Sequence, residues 1–346
     1  MRIAIDAHGG DYGTPRNISA ALELAGDSKM TLILVGRKPE IEAELRRCDT
    51  PVTAFEIVHA EEQIGMGESA VQSIRRKADN SITVALGLMK SGAVDAVVSA
   101  GHSGAVVAAA LMTLGRIRGV SRPPLGTRIP AINTHNSYAL DIGAVIDPKP
   151  EMLLQFGYLG AAYSKAVLDV PNPSVALLSN GEESSKGNAL TRAAQELFER
   201  SDLNYIGYVE GGEMLDKPPA VTVTDGFTGN IGLKIAEGTA ASIQFALRRE
   251  LTANWRDKLL AGMLRPAFRR MRDNMDFEGI GGAALLGVNG VVIVAHGRST
   301  TRGLVSAIRT AQHAAAVGLP VLLRDAIPAR DQRVNEPSDA TAASVT

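Results

Sequence analysis

Short apolar runs alternate with amphipathic stretches along most of the chain. Residues 2–5, 31–35, 52–58, 94–98, 174–178, 205–209, 221–223 and 287–294 read as strands. Between them, 18–24, 40–47, 67–77, 82–90 and 106–114 have helical spacing, and 150–168 reads as a long, buried apolar helix. Residues 125–132 and 138–140 form a β-rich interlude. Thr14 followed by Pro15 is an N-cap and first-turn signature for the first helix. Strands alternating with helices predict an α/β fold with a mostly parallel sheet covered on both faces.

Polar residues gather where the strands end. The first strand ends in Asp6-Ala7-His8-Gly9-Gly10-Asp11, and the third delivers His59. The 94–98 run opens into Ser99-Ala100-Gly101-His102-Ser103-Gly104-Ala105 and then a small-residue helix. A strand that opens through two glycines onto a helix start is an anion cradle, with free backbone N–H groups and the positive helix end facing the ligand. Glycine lets the backbone approach closely, and Ser103 adds a hydroxyl donor. Similar loops follow as Asp141-Ile142-Gly143-Ala144, Glu182-Glu183 with Lys186-Gly187-Asn188, and Asp225-Gly226-Phe227-Thr228-Gly229-Asn230. One such loop is an ordinary tight turn. Five of them predict a shared site, because open α/β sheets bind ligands at the carboxyl ends of their strands.

Other patterns are excluded by context. Gly65-Met66-Gly67-Glu68-Ser69-Ala70 has dinucleotide-loop spacing, but His59-Ala60-Glu61-Glu62 precedes it in place of an apolar strand, so it reads as a helix-start turn. No nucleotide P-loop occurs, and Gly101-His102-Ser103-Gly104 lacks nucleophile-elbow spacing. Asp6, Asp11, Asp141 and Asp225 would hold a magnesium ion if their loops met. Capping and turn formation is the favoured reading, so no metal or cofactor is expected.

The stretch 248–277 differs in character. Arg248, Arg249, Arg256, Lys258, Arg265, Arg269, Arg270 and Arg272 interleave with Leu251, Trp255, Leu259, Leu260, Met263, Leu264, Phe268 and Met271, and Pro266 breaks the run. Such a segment suits an anionic membrane surface. A helical pair packed in a dimer, with a solvated basic face, explains it equally well.

The length, 346 residues, allows one large α/β domain, expected here over 1–327 with a polar tail over 328–346. A net charge of −1 does not favour nucleic acid. The one cysteine, Cys48, excludes an internal disulfide and fits a reducing cytoplasm. No signal peptide or run of about eighteen apolar residues occurs, so a cytoplasmic protein with peripheral membrane contact is expected.

Taken together, the ordered loops over 1–318 resemble the PlsX-type phosphate acyltransferases of bacterial phospholipid synthesis. The matching motifs are Ile3-Ala4-Ile5-Asp6-Ala7-His8-Gly9-Gly10-Asp11, Val98-Ser99-Ala100-Gly101 with Ser103-Gly104-Ala105, and Gly115-Arg116-Ile117 with Arg122-Pro123. Asp147 through Lys149-Pro150-Glu151 with Gln155-Phe156 follows, then Gly181-Glu182-Glu183 with Lys186-Gly187-Asn188. Asp225-Gly226-Phe227 with Gly229-Asn230, and Gly287-Val288-Asn289-Gly290 with His296-Gly297, complete the series. The chain departs from the family pattern at His8 (usually Met), His102 (usually Asn), Val145 (usually Asn) and Ser179-Asn180.

The resemblance implies a Rossmann-like α/β/α sandwich related to the isocitrate and isopropylmalate dehydrogenases, with a protruding helical segment. It implies attack of inorganic phosphate on a long-chain thioester of acyl carrier protein, by a homodimer at the membrane surface. The acyl phosphate would pass to a glycerol-3-phosphate acyltransferase. The residues matching the family's catalytic positions are His59, Lys186 and Asn230. Phosphate and substrate contacts are expected from Asp6, Gly9, Gly10, Asp11, Ser99, Gly101, His102, Ser103, Gly104, Asp141, Gly143, Glu182, Asn188, Asp225, Gly226 and Gly229. Membrane contact is expected from Trp255, Leu259, Leu260, Met263, Leu264 and Phe268, and the acyl chain is expected along 152–158 and the apolar face of 255–271. Rival readings are a phosphotransacetylase-like enzyme using a coenzyme A thioester, a metal-dependent dehydrogenase of the isocitrate type, and a membrane-bound scaffold.

Overall fold

The computed structural model describes residues 1–65, 67–130, 137–274 and 279–328. The expected tail from 329 onward and residues 275–277 of the basic segment lie outside the described residues. In chain order the strands are β1 (Arg2–Asp6), β2 (Thr31–Gly36), β3 (Glu56–His59), β4 (Ala96–Ser99), β5 (Leu125–Ile129), β6 (Ser137–Leu140), β7 (Val175–Ser179), β8 (Tyr205–Glu210), β9 (Val221–Val223), β10 (Ala283–Leu285) and β11 (Val291–Val294). The helices are α1 (Gly13–Leu24), α2 (Lys38–Arg47), α3 (Ala70–Arg76), α4 (Ser81–Lys90), α5 (Ser103–Thr113), α6 (Pro150–Val167), α7 (Ala189–Glu199), α8 (Glu213–Asp216), α9 (Gly226–Leu251), α10 (Trp255–Met263), α11 (Arg265–Asn274), α12 (Thr301–Ala316) and α13 (Leu319–Ala326).

All these strands join one sheet in the order β3-β2-β1-β4-β11-β10-β5-β6-β9-β7-β8. The first five run parallel to one another, and so do the last four. Three antiparallel pairings, β11 with β10, β10 with β5, and β5 with β6, lie between them. An odd number of reversals turns the second group against the first. The expectation of a mostly parallel sheet therefore holds within each half, and the whole is mixed.

Central strands are apolar on both faces because helices cover both. Ile3 and Ile5 of β1 face a core shared with α1, α2, α6, α7, α12 and α13, while Ala4 faces a second core with α3, α4 and α5. Helix α6 is buried as expected: Leu153, Phe156 and Leu159 have no exposed surface. Each such side chain contributes about 1.5–3 kcal/mol by leaving water. Of the stretch expected along the acyl chain, 153–158 are buried and Met152 is half-buried.

Several boundaries move. Thr14 is not a cap: α1 starts at Gly13 after Tyr12, and the Thr14 hydroxyl bonds His8 instead. The strand expected over 52–58 splits into a 3-10 turn, Val52–Ala54, and β3. The run at 287–290 is a turn, in which Gly290 N–H donates to the Val288 carbonyl, so the strand starts at Val291.

Helix α9 is 26 residues long and buries only Gly226, Gly229 and Ala240. The basic segment divides into the end of α9, then α10 and α11, with Pro266 tolerated in the first turn of α11. Trp255 (71 %) and Met263 (77 %) are among its exposed side chains, with Leu259, Leu260 and Leu264 beside them, while Phe268 is half-buried. No helix among the described residues is long and apolar enough to cross a membrane.

Candidate active site

The ends of β1 and β4 meet through a buried carboxylate. Asp6 is almost fully buried, and its Oδ2 accepts the Ser99 hydroxyl at 2.6 Å. Its Oδ1 accepts the Ser81 hydroxyl at 2.7 Å and the His8 N–H at 3.2 Å. Ser99 Oγ in turn accepts the Gly101 N–H at 3.0 Å. The loops then touch backbone to backbone. A Cβ on Gly9 would lie 2.7 Å from Gly101 N and 2.8 Å from Asp6 Oδ2, so only glycine fits.

Helix α5 leaves directly from this junction. His102 is its N-cap, with Nδ1 accepting the Ala105 N–H at 3.3 Å. Ser103 and Gly104 are exposed, and their backbone N–H groups have no acceptor among the described residues. The result is an open helix N-terminus with two free donors and the Ser103 hydroxyl, a set suited to an anion. Helices α1 and α12 also start at this edge, because β1, β4 and β11 are neighbours.

The turn after β11 closes the far wall. The Gly297 carbonyl accepts the Asp11 N–H at 2.8 Å, and Arg298 Nε stands 3.4 Å from Asp11 Oδ2. A Cβ on Gly10, whose φ is +88°, would lie 2.8 Å from the Gly297 oxygen. Sequence reasoning left 297 and 298 out of the candidate set. The glycine after an apolar strand, common to the other loops, was the signal for them.

His59 ends the edge strand β3, three positions from β4. Both its ring nitrogens have local partners: Nδ1 accepts the Lys38 N–H at 3.2 Å, and Nε2 lies 3.1 Å from Glu61 Oε2. That leaves no ring nitrogen facing the cradle in this arrangement.

A second polar group forms at the opposite edge. Asp141, fully buried, accepts N–H groups from Leu125, Gly143, Ala144 and Val145. Burial pushes its carboxyl above the ordinary aspartate range, and the four donors only partly offset this. Asp225 caps α9 by accepting the Thr228 N–H at 2.8 Å. Gly226 and Gly229 press against the Asp141 loop, and Asn230 lies beside Gly143. Asn188 caps α7 in a capping box with Thr191. Lys186 Nζ is 3.9 Å from Glu183, and Glu182 is held protonated to higher pH by a hydrogen bond to Glu213. Asp225 thus caps a helix and Asp141 fixes a turn. No group of three His, Cys, Asp or Glu residues is placed to hold a metal among the described residues.

The strands that carry the two groups stand apart in the sheet. Gly101 follows β4, and Asn230 sits beside the end of β6, four strands away and running the other way. At about 4.8 Å per strand that is about 19 Å. Lys186 follows β7, two strands further out. A phosphate is a few ångströms across, so the sheet order by itself does not bring Gly101, Lys186 and Asn230 into one pocket. Helix α9 links the edges: it starts at the Asp141 loop and carries Glu237 to the neighbourhood of His296, and burial pushes the Glu237 carboxyl up against the opposing influence of His296 and Lys234.

The comparisons agree on a family. A family model described as "Fatty acid synthesis protein" matches residues 1–322. A phosphate acyltransferase of Desulforudis audaxviator is 44% identical, covering 92% of this chain and 94% of its own. One of Thermosynechococcus vestitus is 40% identical, covering 96% and 98%. Among solved structures, a phosphotransacetylase from Streptococcus pyogenes aligns with TM-score 0.62 at 20% identity, over 91% of this chain and 94% of that one. A 4-hydroxythreonine-4-phosphate dehydrogenase from Klebsiella pneumoniae aligns with TM-score 0.54 at 13% identity, over 91% and 99%. The structural likenesses bear on the fold alone. With the ordered motifs spread over the same length of sequence, the chain belongs to the phosphate acyltransferase family, a family of transferases.

Proposed function

We propose that this protein transfers a long-chain acyl group from acyl carrier protein to inorganic phosphate. A phosphate oxygen attacks the thioester carbon, the carbon–sulfur bond breaks, and the products are acyl phosphate and the free carrier thiol. The observation that carries this reading is the open N-terminus of α5, with unpaired Ser103 and Gly104 N–H groups at a glycine-lined strand end. Phosphate is largely dianionic near neutral pH, so the site needs positioning and charge management more than a strong base. The product would feed glycerophospholipid synthesis through a glycerol-3-phosphate acyltransferase. The fold type proposed is that of the isocitrate and isopropylmalate dehydrogenases.

The working unit in this reading is a homodimer. Phe227, Ile231, Ile235 and Phe245 form an exposed apolar stripe along α9, from the edge that holds Asn230 past the edge that holds the cradle. Two such stripes packed antiparallel about a two-fold axis set one copy's Asn230 edge beside its partner's cradle edge. Lys186 then offsets phosphate charge, and Asn230 donates its amide to the oxyanion on the thioester carbon. His59 orients the β3 end of the cradle or protonates the departing thiolate after releasing Glu61. The exposed Trp255, Leu259, Leu260, Met263 and Leu264, flanked by Arg256, Lys258 and Arg265, rest on an anionic membrane surface.

Labelled inorganic phosphate supplied with either palmitoyl carrier protein or palmitoyl coenzyme A tests the donor. Label should enter an acyl phosphate faster from carrier protein. Equal or faster entry from coenzyme A would overturn the donor, and no entry from either would overturn the reaction.

A further inference from the structure

We propose that His8 is a positioning residue for the phosphate cradle, acting as a neutral imidazole that fixes three neighbouring strand ends around Gly9 and Gly10. The inference rests on the reading of the α5 N-terminus as the phosphate site. His8 is 3 % exposed, and both ring nitrogens are used. Nε2 lies 2.7 Å from the Arg37 backbone nitrogen, whose N–H can only donate, so Nε2 carries the lone pair. The ring proton is therefore on Nδ1 and is donated to Thr14 Oγ1 at 2.9 Å. One ring thus ties the β2–α2 turn to the first turn of α1.

The backbone of the same residue completes the tie. Its N–H donates to Asp6 Oδ1 at 3.2 Å, and its carbonyl accepts Gln63 Nε2 at 3.1 Å from the segment after β3. Gly36 lies flat against the ring, where a Cβ would approach His8 Cδ2 to 2.6 Å. The next residue, Gly9, is the one whose Cα packs on Gly101. A shift of the ring is therefore passed within one residue to the wall of the cradle.

The charge state matters because the Arg37 N–H needs an acceptor. A proton on Nε2 sets two donors against each other at 2.7 Å, and the turn or the ring must move. The charged groups facing the ring are Asp6 from β1, Glu40 from α2 and Arg37 from the turn before it; α1 contributes only the neutral Thr14. Burial holds the imidazole below its ordinary value of about 6.5, outweighing the pull of Asp6 and Glu40 towards the charged form. The neutral form therefore prevails at neutral pH and is lost only when the pH falls through the lowered pKa. The resembled family usually carries methionine here, which fills similar space without accepting from Arg37 or titrating.

The test compares phosphate KM and kcat for the unaltered protein, His8→Met and His8→Gln between pH 7.5 and 4.5. Loss of phosphate dianion affects all three alike and cancels in the ratios. The phosphate KM of the unaltered protein should rise relative to that of the variants as the pH falls through the lowered His8 pKa, by about tenfold for each pH unit below it, with kcat changed much less. Both variants should lack that extra dependence, and His8→Gln, which keeps an acceptor, should hold a lower KM at pH 7.5 than His8→Met. Parallel pH profiles in all three proteins would overturn the proposal. So would kcat falling with KM unchanged. If the unaltered protein shows no saturation by phosphate, the cradle reading itself fails and the proposal falls with it.

Discussion

The Ser99 hydroxyl donates to Asp6 Oδ2 at 2.6 Å, joining strand ends that are ninety-three residues apart in the chain. Both groups are buried, and this bond is shorter than the two that Asp6 Oδ1 accepts from Ser81 and from the His8 backbone. Ser99→Ala leaves a buried carboxylate oxygen without its donor. The expected cost is about 1–3 kcal/mol in urea unfolding, together with a raised phosphate KM. Unchanged stability would show that water replaces the hydroxyl at no cost.

Gly9→Ala tests the close approach directly. Its Cβ would fall 2.7 Å from Gly101 N, so the β1–α1 loop must back away from the cradle. Misplacement by about 1 Å costs on the order of a hundredfold in turnover. Steady-state rates with a folded variant, verified by circular dichroism, provide the measurement.

These two sites also show what the sequence made legible. The apolar run of β1, the cradle before α5 and the Asn188 start of α7 stand where the pattern puts them, because each depends on neighbours a few residues away. The direction of the second half did not show. An apolar run reads the same whichever way it pairs: the two antiparallel pairings of β10, three residues long and outside every predicted strand, cancel, and the net reversal comes from the pairing of β5 with β6. Thr14 looked like a cap because the local signature was complete, yet His8 claims its hydroxyl. The convergence of Lys186 and Asn230 on Gly101 was inferred from likeness among loops, and likeness carries no information on which edge of a sheet a loop occupies.

Mixed dimers test whether a second copy supplies Lys186. Lys186→Ala and Gly9→Ala should each be nearly inactive alone. Unfolded and refolded together, they should regain about a quarter of full activity, because half the dimers then hold one intact site. No recovery, with mixed dimers present, would mean that Lys186 does not act across copies.

The α10–α11 tip is expected to serve lipid contact more than the reaction. Changing Leu259, Leu260 and Leu264 to glutamate removes three exposed leucines, each worth about 1.5–3 kcal/mol when buried in lipid. Binding to anionic vesicles should weaken by about a hundredfold or more, and more than phosphate transfer in solution. Unchanged vesicle binding would remove the membrane role.

A covalent acyl-enzyme is not part of the scheme. Cys48 lies at the end of α2, its Sγ 3.9 Å from Glu44, away from the cradle. Cys48→Ser should therefore keep full activity. A folded but dead variant would require a different route.

The most direct measurement traps the product. Purified protein is incubated with palmitoyl carrier protein and hydroxylamine, with and without inorganic phosphate, and palmitoyl hydroxamate is quantified. Attack by a phosphate held at the α5 N-terminus predicts hydroxamate that rises and saturates with phosphate and is sharply reduced in Gly9→Ala. Hydroxamate formed equally well without phosphate would contradict it.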